Sequence, residues 1–239
     1  MASSPRPWTV LPHRPIEPLE DNLWCVEADL PKGPLNRRMT VFRLGDGRLV
    51  FHNGVPLDDA SMAVLEAWGA PAFLVVPVPG HRLDVHAFAA RYPGLKVLCP
   101  REIAHSVGQA VRVDGGLELL PKDPLLEVVP LEGTKTGEAV FVSRSQDGAR
   151  QSLVFGDAVM NVPHLPGALG LVLRLVGSSG GVKVTGIARL MLVKDKRALA
   201  EHLRRLASVP GVTRLIPSHG ENAVTDAAAK LRACADALG

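Results

Sequence analysis

Two stretches of this chain repeat one pattern. Val41-Phe42, a Gly45-Asp46-Gly47 turn and Arg48-Leu49-Val50-Phe51 are answered by Val140-Phe141, an Asp147-Gly148 turn and Gln151-Ser152-Leu153-Val154-Phe155. Each reads as a β-hairpin, because Asp-Gly between apolar, β-branched runs supplies the backbone that a tight turn needs. More helical sequence follows each hairpin. Two hairpin-then-β/α halves predict a duplicated α/β sandwich. In this alignment Asn53 or Gly54 falls near where Gly156-Asp157 ends the second hairpin.

Local signals place the remaining elements. A proline-rich arm is expected over residues 1–21, extended over the surface, and a single folded domain over 22–239. Residues 58–68 read as a helix, with acidic residues in the first turn, Gly69 just past the end and Pro71 beyond. Residues 72–78 form a nearly continuous apolar run, as in a strand covered on both faces. A loop at 79–85 leads to a short helix ending near Arg91, a strand at 96–98 and a helix at 101–107. Strands at 125–131, 139–143 and 151–155 form a second meander. Asp195 caps a helix to about Ala207 whose Leu199, Leu203 and Leu206 share one stripe. A strand at 214–216 and a helix at 225–238 follow. Residues 162–186 hold several Pro- and Gly-containing breaks and carry no assignable element.

Hydrophobic residues make up 46% and charged residues 21% of the 239, enough for a sizeable core and too apolar for global disorder. The net charge of +3 is mild and the basic residues are scattered, apart from short pairs such as Arg37-Arg38 and Arg204-Arg205, which argues against a nucleic-acid partner. Cys25, Cys99 and Cys234 share no metal-type spacing and sit in apolar contexts, so buried, inert thiols in a reducing compartment are expected. No run has the length of a signal peptide or a membrane span. A cytoplasmic protein follows, with a small-molecule substrate or ligand, no nucleic acid and no membrane partner; its oligomeric state is open.

Chemistry concentrates where strands stop. His81, Asp84 and His86 follow the strand at 72–78, Asp157 follows the strand at 151–155, and His219 follows the strand at 214–216. Parallel strands bring their carboxyl ends to one rim, so such ligands converge there. Imidazole and carboxylate together suit zinc or iron.

The same pattern resembles the metallo-β-lactamase superfamily. That family carries an H-x-H-x-D-H loop after an apolar strand, a G-H motif, a G-D after a strand and a late S-H-G or G-H-G. Here Leu74-Val75-Val76 leads to His81-Arg82-Leu83-Asp84-Val85-His86, Gly133-Thr134 stands at the second motif, Gly156-Asp157 at the third and Ser218-His219-Gly220 at the last. Order and spacing agree over residues 22–239. The resemblance implies an αβ/βα four-layer sandwich, with two mixed β-sheets inside and helices outside.

It also implies an incomplete metal motif. Leu83 replaces the middle histidine, Val85 the aspartate and Thr134 the second-motif histidine, and Leu83 and Val85 are expected to point into packing and not at the ligands. Of the family's first metal site one ligand survives. Of its second, His86, Asp157 and His219 survive. The chain is identified as a divergent branch whose metal ligands are His81, His86, Asp157 and His219, binding one zinc ion, or iron in its place, or none.

Three ligands and an open position make a catalytic arrangement, in which bound water acquires a pKa near ~7 and attacks an ester, lactone, thioester or amide carbonyl. His81 or Asp84 is then a fourth ligand or a proton-transfer group. Lys135 or Arg82 is a cation where the first metal is lost, which gives an anion pocket without metal. The alternative is a non-catalytic, metal-free binding or regulatory module on the same fold, with Asp157 and His219 kept for hydrogen bonding.

Overall fold

The computed structural model describes residues 6–239, so the first five residues of the expected arm lie outside the described part. The chain divides into two compact units, one up to Glu127 and one from Val128.

The first unit is built on a six-stranded sheet in sequential order: β1 (Glu17–Glu20), β2 (Leu23–Asp29), β3 (Asn36–Arg43), β4 (Arg48–His52), β5 (Ala70–Val75) and β6 (Lys96–Leu98). β1 to β4 pair antiparallel, and β5 and β6 add parallel strands. A parallel neighbour needs a crossover. α1 (Asp59–Trp68) supplies it before β5 and α2 (Val85–Arg91) before β6, with α3 (Ala104–Gly108) following.

Period-two alternation gives this sheet an apolar face of Val26, Ala28, Met39, Val41, Leu49 and Phe51. Met62 and Leu65 of α1, Val85 and Phe88 of α2 and Val107 of α3 pack in the same core. Asp58 caps α1 by accepting from the Ser61 amide at 2.9 Å, and the Gly69 amide closes its end on the Leu65 carbonyl.

The second unit has a four-stranded sheet ordered β12-β9-β8-β7. Its strands are β7 (Leu126–Pro130, which straddles the boundary), β8 (Ala139–Arg144), β9 (Gln151–Phe155) and β12 (Val212–Pro217). β8 and β9 are antiparallel, and β12 lies parallel to β9. Between β9 and β12 the chain forms a small antiparallel pair, β10 (Met160–Val162) with β11 (Gly181–Lys183), and the helices α4 (Gly167–Leu175), α5 (Gly186–Met191) and α6 (Lys196–Ser208). α7 (Ala227–Asp236) closes the chain. Leu199, Leu203 and Leu206 of α6 and Leu231 of α7 share a core with Val140, Val142, Leu153, Phe155 and Leu215. Burying each such leucine contributes about 1.5–3 kcal/mol.

The repeated hairpin is therefore a repeated fold element. In both units its second strand, β4 or β9, gains a parallel partner. Three expectations change. Residues 17–20 of the arm form an edge strand, and Trp8 is anchored, its Nε1 donating to the Leu57 carbonyl at 2.9 Å and its ring 5.0 Å from that of Phe88. Prolines at an edge need donate nothing to the ladder, so a Pro-containing segment fits there. The strand expected at 72–78 ends at Val75, because its partner β6 has only three residues. The last helix is shorter at both ends than expected.

Candidate metal centre

β9 and β12 run parallel in register, Phe155 opposite Pro217, so both leave the sheet on the same rim. Gly156-Asp157-Ala158 continues the first and Ser218-His219-Gly220 the second. Ser218 ties the two exits together: its amide donates to the Gly156 carbonyl at 3.4 Å and its hydroxyl to the Phe155 carbonyl at 3.1 Å. Beyond it, the Asn161 amide donates to the His219 carbonyl at 3.4 Å and the Glu221 amide to the Asn161 carbonyl at 2.9 Å. Gly220 makes this possible. Its φ is +84°, and a Cβ there would run into the Asn161 carbonyl.

The result is a close pair. His219 Nε2 lies 3.5 Å from Asp157 Oδ1, with the two side chains 12% and 19% exposed.

Beneath Asp157 stands a residue that the sequence reading passed over. Glu138, just before β8, is fully buried. Its carboxylate accepts from three successive amides: Gly156 at 2.9 Å, Asp157 at 3.2 Å and Ala158 at 3.0 Å. Burial pushes the Glu138 carboxyl up to about 7 and the Asp157 charge adds to this, while the three amides oppose both. Three consecutive N–H groups on one anion fix the loop that carries Asp157. The sequence signal was slight: one charged residue directly ahead of an apolar strand.

The other expected site residues have these places. His81 sits in a single helical turn, Pro79–Arg82, with φ −89° and ψ 16°, its amide donating to the Val78 carbonyl at 3.0 Å. His86 is on the first turn of α2, half-buried. Asp84, expected as a ligand or proton carrier, has no exposed side-chain surface. It pairs with the buried Arg37 and with Arg6 at 3.5 Å, an internal counter-ion to two guanidinium groups. Arg38, beside Arg37, is also buried and pairs with Glu27 at 2.9 Å. Lys135 Nζ donates to the Leu190 carbonyl at 2.9 Å.

Of the positions where the family pattern is broken, Val85 is in the core of the first unit, as expected of it. Leu83, expected to pack, is 39% exposed. It follows a helical turn in which no residue is buried, so nothing draws its side chain inward. Thr134 turns its hydroxyl to the Leu131 carbonyl at 3.0 Å.

No family model matches the sequence, and no curated protein matches it. Solved structures do. A metallo-β-lactamase, DIM-1, exposed to ceftazidime is similar at a TM-score of 0.62 and 13% identity, covering 97% of this chain and 100% of that one. The metallo-β-lactamase FIM-1 from Pseudomonas aeruginosa, in its mono-zinc form, gives 0.58 and 12%, with coverage of 95% and 96%. A metallo-β-lactamase from Hirschia baltica gives 0.58 and 12%, with coverage of 93% and 98%. Nearly full-length agreement at such low identity shows a common fold, and the chain has the metallo-β-lactamase fold.

Proposed function

We propose that this chain is a hydrolase that uses one metal ion, zinc or iron, held by Asp157 and His219, to cleave an ester, lactone, thioester or amide. The observation that carries the reading is the Asp157–His219 pair at the exits of two neighbouring parallel strands. The donor set fits. Imidazole nitrogen and carboxylate oxygen are ordinary zinc ligands, and two tetrahedral ligands at about 2.0–2.2 Å from one ion stand about 3.3–3.6 Å apart. The pair is 3.5 Å apart. The carboxylate of Glu138 behind Asp157 adds to the demand for positive charge at that rim. One of the similar structures is a mono-zinc form, which accords with a single ion.

A bound ion of this kind supplies a Lewis acid and lowers the pKa of water. The chain's own residues do the rest. Asp157 and His219 bind and orient, Glu138 holds the Asp157 loop, and Ser218 keeps the two exits together. Further ligands are assigned by the sequence pattern, to His81 and His86. Asp84 is assigned to its ion pairs. Lys135 remains a candidate for an anionic part of the substrate.

Melting curves test the reading. Bound metal stabilises the native chain by about 2.7 kcal/mol when free metal exceeds its dissociation constant a hundredfold. Chelator is expected to lower the melting temperature of the parent, His219→Ala to lower it similarly, and chelator to do little more to the variant, because the two changes share a cause. His81→Ala and His86→Ala, measured alongside, show whether either histidine contributes. Val85 in the core and Thr134 on a carbonyl cannot ligate, which is what a metal-free binding module on this fold would also show. A parent indifferent to chelator and without bound metal puts the chain in that second class.

A further inference from the structure

Between Asp157 and Asp195 the sequence contains no Asp or Glu and four fixed cations: Arg174, Lys183, Arg189 and Lys194. The same segment exposes large apolar side chains. Leu171 is 58% exposed, Leu175 77%, Leu190 78% and Met191 65%. In α4 the one buried residue is Gly170, whose missing side chain lets the helix rest on the Leu165 backbone. The end of α4 is joined to the start of α5: the Gly186 amide donates to the Gly177 carbonyl at 3.2 Å, and the Ile187 amide to the Ser178 hydroxyl at 3.2 Å. Beside this junction lies an open cleft of about 480 Å³. Leu175, Val176 and Val182 line it together with Lys183 and Arg189, and no acidic residue does.

An apolar surface of this kind is unfavourable in water unless something covers it. A second copy fits poorly. A two-fold contact sets the same patch against itself, so the cations would face cations with no acid in the segment to pair them. A bilayer bearing anionic lipids answers both features, since leucines enter the headgroup–acyl boundary while cations meet phosphates. We infer that α4, β11 and α5 dock this protein on the surface of an anionic membrane, with Leu171, Leu175 and Leu190 inserted and Arg174, Lys183 and Arg189 on lipid phosphates. The docking is peripheral, as no helix among the described residues is long and apolar enough to cross a membrane.

Flotation of the full chain with vesicles tests this, independently of any metal. Vesicles of phosphatidylcholine alone are compared with vesicles of equal parts phosphatidylcholine and phosphatidylglycerol. The chain is expected to float with the anionic vesicles and much less with the neutral ones, and added salt is expected to weaken the binding. Arg174→Ala is expected to lower the partition coefficient about fivefold. The double variant Leu175→Gln, Leu190→Gln is expected to lower it more than about tenfold. Both leucines are exposed, so the melting temperature of the double variant should match the parent and serve as the folding control. The proposal is overturned if the parent does not float with anionic vesicles, or if the double variant floats equally well. It is also overturned if light scattering without vesicles shows a dimer that the double variant disperses.

Discussion

Glu138 has none of its surface exposed, and its partners are the amides of three consecutive residues, 156–158. Removing the carboxylate leaves those donors buried and unpaired, each of which costs free energy that the short loop can recover only by moving. Glu138→Ala is therefore expected to destabilise the chain by about 2–4 kcal/mol in urea unfolding, and Glu138→Gln by less, because an amide oxygen still accepts. An unchanged midpoint for the alanine variant would show that the loop does not depend on this anchor. At this scale the sequence was half legible. Asp157 and His219 stood out because metal-binding types at strand exits are a recognisable pattern. Glu138 was passed over and Asp84 was placed among the site residues, since nothing in a sequence distinguishes a carboxylate buried on amides or arginines from one in water. Arg37 was read only as part of a short basic pair and is 4% exposed.

Elements were legible wherever one face is apolar and a cap marks the end. Asp195 caps the helix expected of it, accepting from the Ala198 amide at 3.1 Å, and Asp58, read as part of a first turn, is the cap of its helix. Residues 162–186 gave no such signal, for physical reasons. β10 and β11 have three residues each, too few to show a period. α4 is apolar nearly all round and buries only a glycine, so no stripe separates a core face from a solvent face. The turn after β12 shows the opposite case, in which one residue type is dictated. Gly220 combines a left-handed φ with close approach to the Asn161 backbone. Gly220→Ala is expected to cost about 1–3 kcal/mol and to shift His219, which precedes it. Thermal unfolding, read with zinc-binding isotherms, checks this; a variant matching the parent in both would show that the turn tolerates a side chain.

Across the whole chain, the repeated hairpin was the most informative feature, because it carries long-range pairing. A turn between two alternating runs fixes which strands are neighbours, and both hairpins acquired the parallel third strand that makes each sheet mixed. The repeat also shows where the halves diverge. β4 is followed by Asn53, whose φ of +61° suits an asparagine and whose side-chain amide donates to the Arg38 carbonyl at 2.7 Å. β9 is followed by Gly156-Asp157, and Asp157 stands beside His219. One half spends its strand exit on backbone satisfaction and the other on a carboxylate–imidazole pair, and the central claim is that this pair holds a metal. Elemental analysis of protein purified without chelator and without affinity-tag metal tests it most directly, with Asp157→Ala, His219→Ala as the companion double variant. About one equivalent of zinc or iron in the parent, lost in the folded variant, is the predicted result. A parent that carries no metal, or a variant that keeps its full equivalent, would contradict it.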